Sequence, residues 1–440
     1  MTSKFIDHSA PVITALVVHP VRASDSGARD PQARLEEAVG LALALDLDVR
    51  ETLIAPIRGH TPATLFGKGK VEEIGGICEA EELDAVVVDD QLTPVQQRNL
   101  EKAWNVKVID RTGLILEIFG RRARTREGRL QVELARLNYE RSRLVRTWTH
   151  LERQRGGTGS TGGPGETQIE LDRRLIADRI AKLKKELIEV RRTRSLHRSA
   201  RKKVPYPTIA LVGYTNAGKS TLFNRLTEAK VLAQDMLFAT LDPTLRTVKL
   251  PDGRPAILSD TVGFISDLPH ELVEAFRATL EEVQEADIVL HVRDIAGPDT
   301  EAQRRDVEGV LKELDVTAEA GRTIIEVWNK VDLVTDHDDR VSLVAKAIRN
   351  GAHAVSAVTG EGCEALLERL ATLVDDVPAI TIHLSASEGE ALAWLYRNGR
   401  VEAREADEDG GVNVSARLDA QARGRFERLF PDVRLSEAVD

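Results

Sequence analysis

One stretch of eight residues limits what this chain can fold into more than any other. The residues from Gly213 to Ser220 follow an apolar run, 208–212, and open an amphipathic segment, 219–226. A strand, a tight glycine turn and a helix in that order form a phosphate cradle, because the N–H groups of the turn and the helix N-terminus converge on one anion. A chance glycine-rich turn lacks this context. The sequence therefore predicts an α/β nucleotide-binding domain.

The cradle supplies the first predicted catalytic and metal contacts. Lys219 is predicted to reach the outer phosphates as a catalytic residue, and Ser220 to offer its hydroxyl to Mg²⁺. The predicted nucleotide contacts of the cradle are Gly213, Tyr214, Thr215, Asn216, Ala217, Gly218, Lys219 and Ser220.

A second segment, Asp260-Thr261-Val262-Gly263, follows the apolar run 255–258. It places the Asp260 carboxylate at a strand end, where it can hold the Mg²⁺ shell through water. Gly263 can offer a close backbone N–H to the γ-phosphate, which is a catalytic contact. All four residues are predicted to bind the nucleotide.

A third segment, Phe238-Ala239-Thr240-Leu241-Asp242, lies between the cradle and Asp260 and is predicted to bind the nucleotide as well. A threonine in this place can complete the Mg²⁺ coordination when the γ-phosphate is present. Thr240 is the best candidate for that metal-binding and catalytic role, with Thr244 in reserve.

Two later segments predict the base. In Asn329-Lys330-Val331-Asp332, after the run 323–328, the Asp332 carboxylate can accept hydrogen bonds from N1–H and the 2-amino group of guanine. Adenine offers no such pair of donors and would leave the carboxylate unpaired. Ser356-Ala357-Val358 supplies a backbone N–H for the guanine carbonyl oxygen. Four motifs in register predict binding of GTP and GDP.

Composition narrows the setting. Two cysteines in 440 residues, Cys78 and Cys363, match no metal-ligand spacing, which indicates a reduced protein without a zinc site. The N-terminus has no apolar signal segment, and no apolar run approaches the roughly 18 residues of a membrane span. We expect a soluble, cytoplasmic monomer whose membrane association is at most peripheral.

The charge is unevenly distributed. The net charge is −10, yet residues 121–203 contain 24 Lys and Arg against 10 Asp and Glu, a local charge of +14. The remaining 37 basic and 61 acidic residues carry −24. Such asymmetry favours a nucleic-acid-binding segment within an acidic protein. The alternative is a solvated helical face rich in arginine.

Two heptad repeats within this basic stretch predict a pair of long helices. The repeating positions are Leu130, Leu134, Leu137, Leu144, Trp148 and Leu151 in the first, and Ile169, Ile176, Ile180, Leu183, Leu187 and Val190 in the second. Because neither helix can bury its stripe alone, we expect an antiparallel hairpin with arginines on its exposed faces.

The loop that joins these helices, 156–165, contains six glycines. Residues 157–162 formally match the dinucleotide pattern GxGxxG, but that pattern requires a preceding strand, and this loop follows a helix. We predict that the tip binds RNA through Arg153, Arg155, Gly157, Gly159 and Gly162, with no DNA partner. The alternative is a solvated hairpin turn.

Two smaller domains complete the predicted organisation. Residues 11–110 alternate strand and helix patterns, which favours a parallel α/β domain, while 379–429 reads β, α, β, β, α. The segment 67–70, Gly-Lys-Gly-Lys, is interpreted as a turn before a helix. The predicted boundaries are 11–120 for the N-terminal α/β subdomain, 121–203 for the basic hairpin, 204–376 for the GTP-binding domain and 377–440 for a small C-terminal α+β domain.

The motifs GYTNAGKST, FATLDPT, DTVGF, NKVD and VSAVTGEG, with the loop GGTGSTGGPGE, resemble those of the HflX family of GTPases, within the group that includes Obg and Era. The resemblance covers nearly the whole chain. It implies an α/β fold in which a P-loop GTPase domain stands between an N-terminal α/β domain with a long helical hairpin and a small C-terminal domain. It also implies binding to the large ribosomal subunit and a role in splitting or rescuing stalled ribosomes.

One position departs from small signalling GTPases, which place a water-orienting glutamine directly after Gly263. Here that residue is Phe264, which predicts slow intrinsic hydrolysis in which the cation, the backbone or a partner must place the attacking water. With the ribosomal partner that the resemblance implies, we expect hydrolysis to be stimulated by ribosomes. Asn216 matches the asparagine that helps hold a K⁺ ion in related GTPases, so Mg²⁺ and K⁺ are the implied cofactors.

Two other functions fit the sequence less well. An RNA-modifying GTPase would need a cysteine or cofactor site near the GTP-binding domain, and neither Cys78 nor Cys363 has that context. A non-catalytic scaffold with structural nucleotide would not need the Mg²⁺ set of Ser220, Thr240 and Asp260.

Overall fold

A computed structural model describes the residues 12–22, 29–59, 61–154, 164–201, 206–228, 237–238, 240–266, 277–374, 380–385, 387–406, 411–418, 420–431, 433 and 435–437. The chain divides into two compact units. The first joins Met1–Lys249 with Gly253–Leu366, and the second joins Leu250–Asp252 with Leu367–Asp440.

A four-stranded parallel sheet begins the first unit, with strand order β2-β1-β3-β4. Its strands are β1 (Thr14–Arg22), β2 (Asp48–Ile57), β3 (Ala85–Val88) and β4 (Lys107–Asp110). The helices α1 (Pro31–Leu43), α2 (Lys68–Ala80), α3 (Pro94–Trp104) and α4 (Arg111–Arg122) follow them in turn. The predicted parallel α/β arrangement is confirmed, and the segment 67–70 does lead into a helix.

Both faces of this sheet are covered, which explains the continuous apolar run of β1. Ala15 and Val17 pack in the core that contains α1 and α4, whereas Leu16 and Val18 pack in the core that contains α2 and α3. Alternating residues of one strand therefore serve two cores.

Two long helices follow, α5 (Arg126–Gln154) and α6 (Pro164–Arg201). Heptad residues of both helices form one cluster, made by Leu130, Leu183 and Leu187 with Leu134, Leu137 and Val190 packed against it. The predicted packing of the two stripes is confirmed over this part of the hairpin.

The base of α5 is fixed to the N-terminal sheet by Asp110 at the end of β4. This buried carboxylate accepts hydrogen bonds from the Tyr139 hydroxyl at 2.5 Å and Arg143 Nη2 at 2.7 Å, as well as from the N–H groups of Leu92 and Gly113. Four donors on one carboxylate hold the hairpin rigidly at this point.

The second sheet of this unit has six strands in the order β10-β9-β8-β5-β7-β6, parallel except for the β6–β7 pair. Its strands are β5 (Thr208–Gly213), β6 (Thr244–Lys249), β7 (Pro255–Asp260), β8 (Ile288–Asp294), β9 (Thr323–Asn329) and β10 (His353–Ala354). The helices are α7 (Lys219–Thr227), α8 (Arg277–Glu285), α9 (Thr300–Glu313), α10 (His337–Arg349) and α11 (Cys363–Leu373), with a 3₁₀ turn at Val331–Leu333.

In the sheet, β7 lies next to β5 on one side and β8 lies next to β5 on the other. The carboxyl end of β5 is therefore a topological switch point, where open α/β sheets bind ligands. The predicted cradle lies there.

The second unit contains β11 (Ile380–Leu384), α12 (Gly389–Asn398), β12 (Arg400–Ala406), β13 (Val412–Arg417), α13 (Ala420–Leu429) and β14 (Leu435–Glu437). Its antiparallel sheet has the order β12-β13-β11-β14 and packs on a core that includes Leu395 and Phe426. The predicted β, α, β, β, α order is confirmed, and β14 was missed. Across both units, none of the helices is long and apolar enough to cross a membrane, as far as the described residues go.

Candidate nucleotide site

The turn after β5 approaches its neighbours so closely that two positions require glycine. A Cβ at Gly213 would lie 2.1 Å from the carbonyl oxygen of Val292, and one at Gly218 would lie 2.2 Å from Asn329 Nδ2. Asn216 takes the left-handed conformation, with φ at 57°, which asparagine tolerates better than most residues. The turn is thus held against the sheet, as a phosphate cradle requires.

Lys219 is buried at the start of α7, and its Nζ donates to the carbonyl oxygen of Tyr214 at 2.7 Å. Burial lowers the pKa of this ammonium to about 8, and the Asp260 carboxylate offsets part of that effect. Phosphate oxygens would supply the negative partners that a buried ammonium needs. This environment favours the predicted role of Lys219 at the outer phosphates.

Three predicted metal residues come together although they lie far apart in sequence. The Ser220 hydroxyl donates to Asp260 Oδ2 at 2.7 Å, Thr240 Oγ1 donates to the same oxygen at 2.8 Å, and the two hydroxyl oxygens are 2.9 Å apart. Thr244, the reserve, instead begins β6. The structure therefore favours Thr240 of the two threonines.

The donor set of these three residues fits a hard cation. All are oxygen groups, the class of ligand that Mg²⁺ prefers. Asp260 Oδ1 is buried and has no hydrogen-bond partner among the described residues, and burial raises the pKa of this carboxyl above its usual range. Ser220, Thr240 and Asp260 could therefore hold Mg²⁺.

Gly263 lies directly against the cradle. A Cβ there would be 2.9 Å from both Cα and Cγ2 of Thr215 and 3.1 Å from Lys219 Nζ. The next residue, Phe264, buries its ring in the core of the unit. Thr261 and Val262 are also buried, with the Thr261 hydroxyl donating to the carbonyl oxygen of Leu211 at 2.5 Å. The nucleotide contacts predicted for Asp260, Thr261, Val262 and Gly263 stay predictions.

The predicted base segments are joined by Asn329. Its Nδ2 donates to the carbonyl oxygen of Ala217 at 2.8 Å, and its Oδ1 accepts from the N–H of Ala357 at 3.0 Å. One buried side chain thus connects the cradle with the loop of Ser356, Ala357 and Val358. The amide of Asn329 acts here as a brace.

Lys330 and Asp332 follow Asn329 in sequence; Lys330 directly precedes the short 3₁₀ turn and Asp332 lies within it. The half-buried Asp332 carboxylate makes no hydrogen bond with any described residue, so its oxygens are available to a base. Lys330 Nζ is paired with Asp294 at 2.7 Å, and Val331 is buried. The guanine contact predicted for Asp332 stays a prediction, and the position of the carboxylate supports it.

Sequence reasoning missed Arg225, on α7. Its guanidinium donates to the carbonyl oxygen of Ala357 at 3.1 Å and also to that of Val358. These hydrogen bonds hold the segment Ser356-Ala357-Val358, which is predicted to contact the guanine carbonyl oxygen. No local pattern marks Arg225, because its partners lie 132 and 133 residues away.

The segment around Thr240 binds the N-terminal elements on both sides of that residue. Phe238 meets Phe119 of α4 edge to face, with ring centroids 4.7 Å apart, and Leu241 is buried in the same core. The Asp242 carboxylate accepts from the N–H groups of Arg124 and Thr125 at 2.8 and 2.9 Å. Ala239 lies outside the described residues. Direct nucleotide contacts of these side chains remain predictions.

The side chain of Tyr214 also faces the N-terminal elements. Its hydroxyl donates to Glu37 of α1 at 2.5 Å and accepts from the N–H of Ser266 at 3.0 Å and from Arg29 at 3.2 Å. Burial raises the pKa of Tyr214 to about 12, and Glu37 adds to the rise. Only the backbone of Tyr214 remains available to a phosphate.

A buried ionic cluster continues this contact. Arg111 bonds Glu37 and Asp89 with its two amino groups and reaches Ser266 Oγ at 3.1 Å. His19 Nδ1 lies 2.8 Å from Asp89 Oδ2. Burial alone would raise the pKa of Asp89, but Arg111, His19 and Arg34 outweigh burial and hold it below its usual range. Sequence reasoning did not find this cluster.

Most of the predicted RNA-binding tip lies outside the described residues. Arg155, Gly157, Gly159 and Gly162 lie outside the described residues, while Arg153 lies in the last turn of α5. Their role stays a prediction. On the described part of α6, by contrast, Arg173, Arg174, Lys182, Lys184 and Lys185 are exposed.

Comparison with known proteins decides the family. Successive parts of the chain match the models of the GTP-binding GTPase N-terminal region (32–120), the GTP-binding GTPase middle region (122–201), the 50S ribosome-binding GTPase (208–330) and the HflX C-terminal domain (342–439). The chain is 55% identical over 407 residues to the GTPase HflX of Magnetococcus marinus, a match that covers 92% of this chain and 93% of that protein. The chain belongs to the HflX family of GTPases.

The HflX-family chain is also 43% identical over 405 residues to the GTPase HflX of Escherichia coli, with 92% and 93% coverage. A solved GTP-binding protein of Sulfolobus solfataricus in complex with GDP matches 82% of this chain and 99% of its own, at 25% identity and a TM-score of 0.44. Membership makes the chain a GTP hydrolase. The predicted fold class, a P-loop GTPase domain with N-terminal and C-terminal domains, is confirmed.

Proposed function

We propose that this HflX-family GTPase is a GTP-controlled factor that binds the RNA of the large ribosomal subunit and acts in the splitting or rescue of ribosomes in the cytoplasm. One observation carries the proposal. The residue predicted to sense Mg²⁺ and the γ-phosphate, Thr240, is two positions from Asp242, which binds the start of α5, the first helix of the basic hairpin. A change at Thr240 on nucleotide binding would therefore reach the hairpin through Asp242.

Mg²⁺ and K⁺ are the proposed cofactors of this hydrolysis. Ser220, Thr240 and Asp260 would hold Mg²⁺, which neutralises charge on the β- and γ-phosphates when bound. Asn216 is exposed, and its side chain makes no hydrogen bond to the described residues, so its amide oxygen is available to K⁺. Lys219 and the N–H of Gly263 would bind the γ-phosphate and stabilise the charge that develops there.

The proposed partner is RNA because of the charge on the hairpin. Residues 121–203 carry +14 in a chain of net −10, and six Lys and Arg side chains of α6 from Arg173 to Lys185 are exposed. Phosphate contacts of this kind position a protein on RNA without reading sequence. The family matched by 208–330 is described as 50S ribosome-binding, which supports the large subunit as that RNA's source.

An RNA-modifying enzyme receives little support from the structure. Cys78 and Cys363 are both buried, and burial raises the pKa of both thiols. A buried thiol of raised pKa is a poor nucleophile. The Mg²⁺ set likewise favours a hydrolase over a scaffold.

The experiment is co-sedimentation with purified large subunits in a GTP analogue or GDP, across a KCl series. Lys184→Gln with Lys185→Gln should weaken binding and flatten the slope of log affinity against log salt by roughly 0.7 to 0.9 for each lysine that contacts a phosphate. The matched control is Lys102→Gln with Lys107→Gln, two exposed lysines of the N-terminal sheet region.

A second variant tests the tip. Deleting 157–163 should leave GTP affinity intact and abolish both subunit-stimulated hydrolysis and GTP-dependent dissociation of ribosomes into subunits, followed by light scattering. Equal binding in GDP and GTP analogue, or wild-type salt dependence in the α6 variant, would contradict the proposal.

A further inference from the structure

Phe264 buries its ring in the core, so another group must hold the attacking water. A group that replaces the usual glutamine must lie beside Gly263, where the γ-phosphate is expected. It must also carry a hydrogen-bonding atom that no other protein group uses.

Thr215 occupies that place through its backbone. The N–H of Phe264 donates to the carbonyl oxygen of Gly213 at 3.0 Å, and the N–H of Thr215 donates to that of Phe264 at 2.7 Å. These two bonds make a short parallel bridge between the cradle and the segment of Gly263. They bring Cα and Cγ2 of Thr215 against Gly263, where a Cβ would also lie 3.1 Å from Lys219 Nζ.

The hydroxyl of Thr215 is buried and has no hydrogen-bond partner in the described part of the chain. The other hydroxyls of the site are all engaged: Ser220 and Thr240 with Asp260, and Thr261 with Leu211. Burying an unpaired hydroxyl is unfavourable, and Thr215 contacts Gly263, where the γ-phosphate is expected. A ligand bound at that place would satisfy the hydroxyl. Water and a γ-phosphate oxygen are the groups that GTP hydrolysis places there.

We propose that the Thr215 hydroxyl positions the attacking water of GTP hydrolysis, an inference that rests on the placement of GTP in this cradle. The hydroxyl accepts a hydrogen bond from the water and donates its own to a γ-phosphate oxygen. The water oxygen bonds to the γ-phosphorus as the bond from phosphorus to the β,γ-bridging oxygen breaks. One water proton stays on the attacking oxygen and the other passes to a γ-phosphate oxygen, giving GDP and dihydrogen phosphate.

The test uses the full chain and three variants. Thr215→Val removes the hydroxyl at nearly constant shape, and Thr215→Ser retains it. Ser259→Ala is the control, because Ser259 also has a buried, unpartnered hydroxyl but lies on β7 outside the predicted nucleotide contacts. The measurements are single-turnover GTP hydrolysis and the affinities for GDP, for a non-hydrolysable GTP analogue and for GDP with aluminium fluoride, which mimics the transition state.

Thr215→Val should slow hydrolysis on the order of 100-fold, the loss typical of one transition-state hydrogen bond, and weaken the aluminium fluoride complex to a similar degree. GDP affinity should stay within about twofold, because GDP has no γ-phosphate for the hydroxyl to bind, and analogue affinity should fall less than the aluminium fluoride affinity. Thr215→Ser and Ser259→Ala should behave as wild type.

Wild-type hydrolysis and aluminium fluoride affinity in Thr215→Val would overturn the inference. Equal losses of GDP and aluminium fluoride affinity would also overturn it, because they indicate a role in binding alone. Failure of the wild-type chain to bind GDP would instead refute the site itself. Thr215→Ala repeats the comparison if valine disturbs the turn.

Discussion

The bond between Asp242 and the start of α5 predicts a specific loss of coupling. The Thr125 hydroxyl caps α5 by accepting a hydrogen bond from the N–H of Gly128 at 3.0 Å. In a capping box the residue in the place of Gly128 is an acid or amide that binds the N–H of the cap. Gly128 has no side chain that could bind the N–H of Thr125. Asp242, 117 residues from Thr125 in sequence, instead accepts hydrogen bonds from the Thr125 N–H at 2.9 Å and from the Thr125 hydroxyl at 2.5 Å. The segment of Thr240 thus completes the cap of α5.

The structure sets the size of the effect. Losing a cap costs about 0.5–2 kcal/mol, and a carboxylate at a helix N-terminus adds about 0.3–1 kcal/mol. Because Asp242 is half-buried, we take about 1–2 kcal/mol for Asp242→Ala, which is roughly a 5- to 30-fold change in the opening equilibrium. Tyr139 and Arg143 still hold α5 on Asp110, so the helix itself should persist.

The assay is amide hydrogen exchange of residues 126–130 with GDP and with a GTP analogue. In the wild type the analogue should protect this turn more than GDP does, since it fixes Thr240, and Asp242→Ala should abolish that difference and speed exchange by the factor above.

Gly128→Ala should disturb the same contact, because a Cβ at this position would lie 2.5 Å from Asp242 Oδ1. It should uncouple α5 although alanine favours helix. Gly120→Ala on α4, which meets no atom within 4 Å, is the matched control. Unchanged exchange in both Asp242→Ala and Gly128→Ala would refute the reasoning.

Three further predictions concern the base, the cation and a buried histidine. Asp332→Asn should shift preference from guanine to xanthine nucleotides, and unchanged GTP affinity would remove Asp332 from the base site. Single-turnover hydrolysis should be faster in KCl than in NaCl if Asn216 helps hold K⁺, and equal rates would contradict that role. Burial lowers the pKa of His291 from 6.5 to about 4. Glu326 raises this pKa by a smaller amount, and the charges of Arg293, Arg304 and Lys219 lower it further. As the pH falls, His291 therefore takes up a proton in the unfolded chain before it does so in the folded chain. About 3 kcal/mol of the free energy of unfolding, present above pH 6.5, is lost towards pH 4. Urea unfolding of His291→Gln should show a smaller loss over that range, and an identical loss would refute the assignment.

Local patterns predicted the elements that carry their own signal. The cradle, the Asp332 turn and the heptads of α5 and α6 are each specified by residues close in sequence, and the structure places them as expected. Helix α4 was missed because Leu114, Ile115, Leu116, Ile118 and Phe119 form a short apolar run interrupted only by Glu117. Periodicity alone does not distinguish such a run in a helix from one in a buried strand. Strand β14 was missed because three residues with a single large apolar side chain are too short a pattern.

What sequence reasoning could not predict is how the GTP-binding elements join the N-terminal ones. Tyr214 fits the cradle pattern by position, yet its hydroxyl meets Glu37, 177 residues earlier, and Ser266 meets Arg111 across 155 residues. Such pairs leave no periodicity, because each partner is one polar residue within an unrelated element. They matter energetically because Arg111 and Asp89 are buried charges, and removing one partner leaves the other uncompensated. The cradle and the segment after Gly263 thus share partners on α1 and α4, so a nucleotide that moves either one acts on the same ionic cluster.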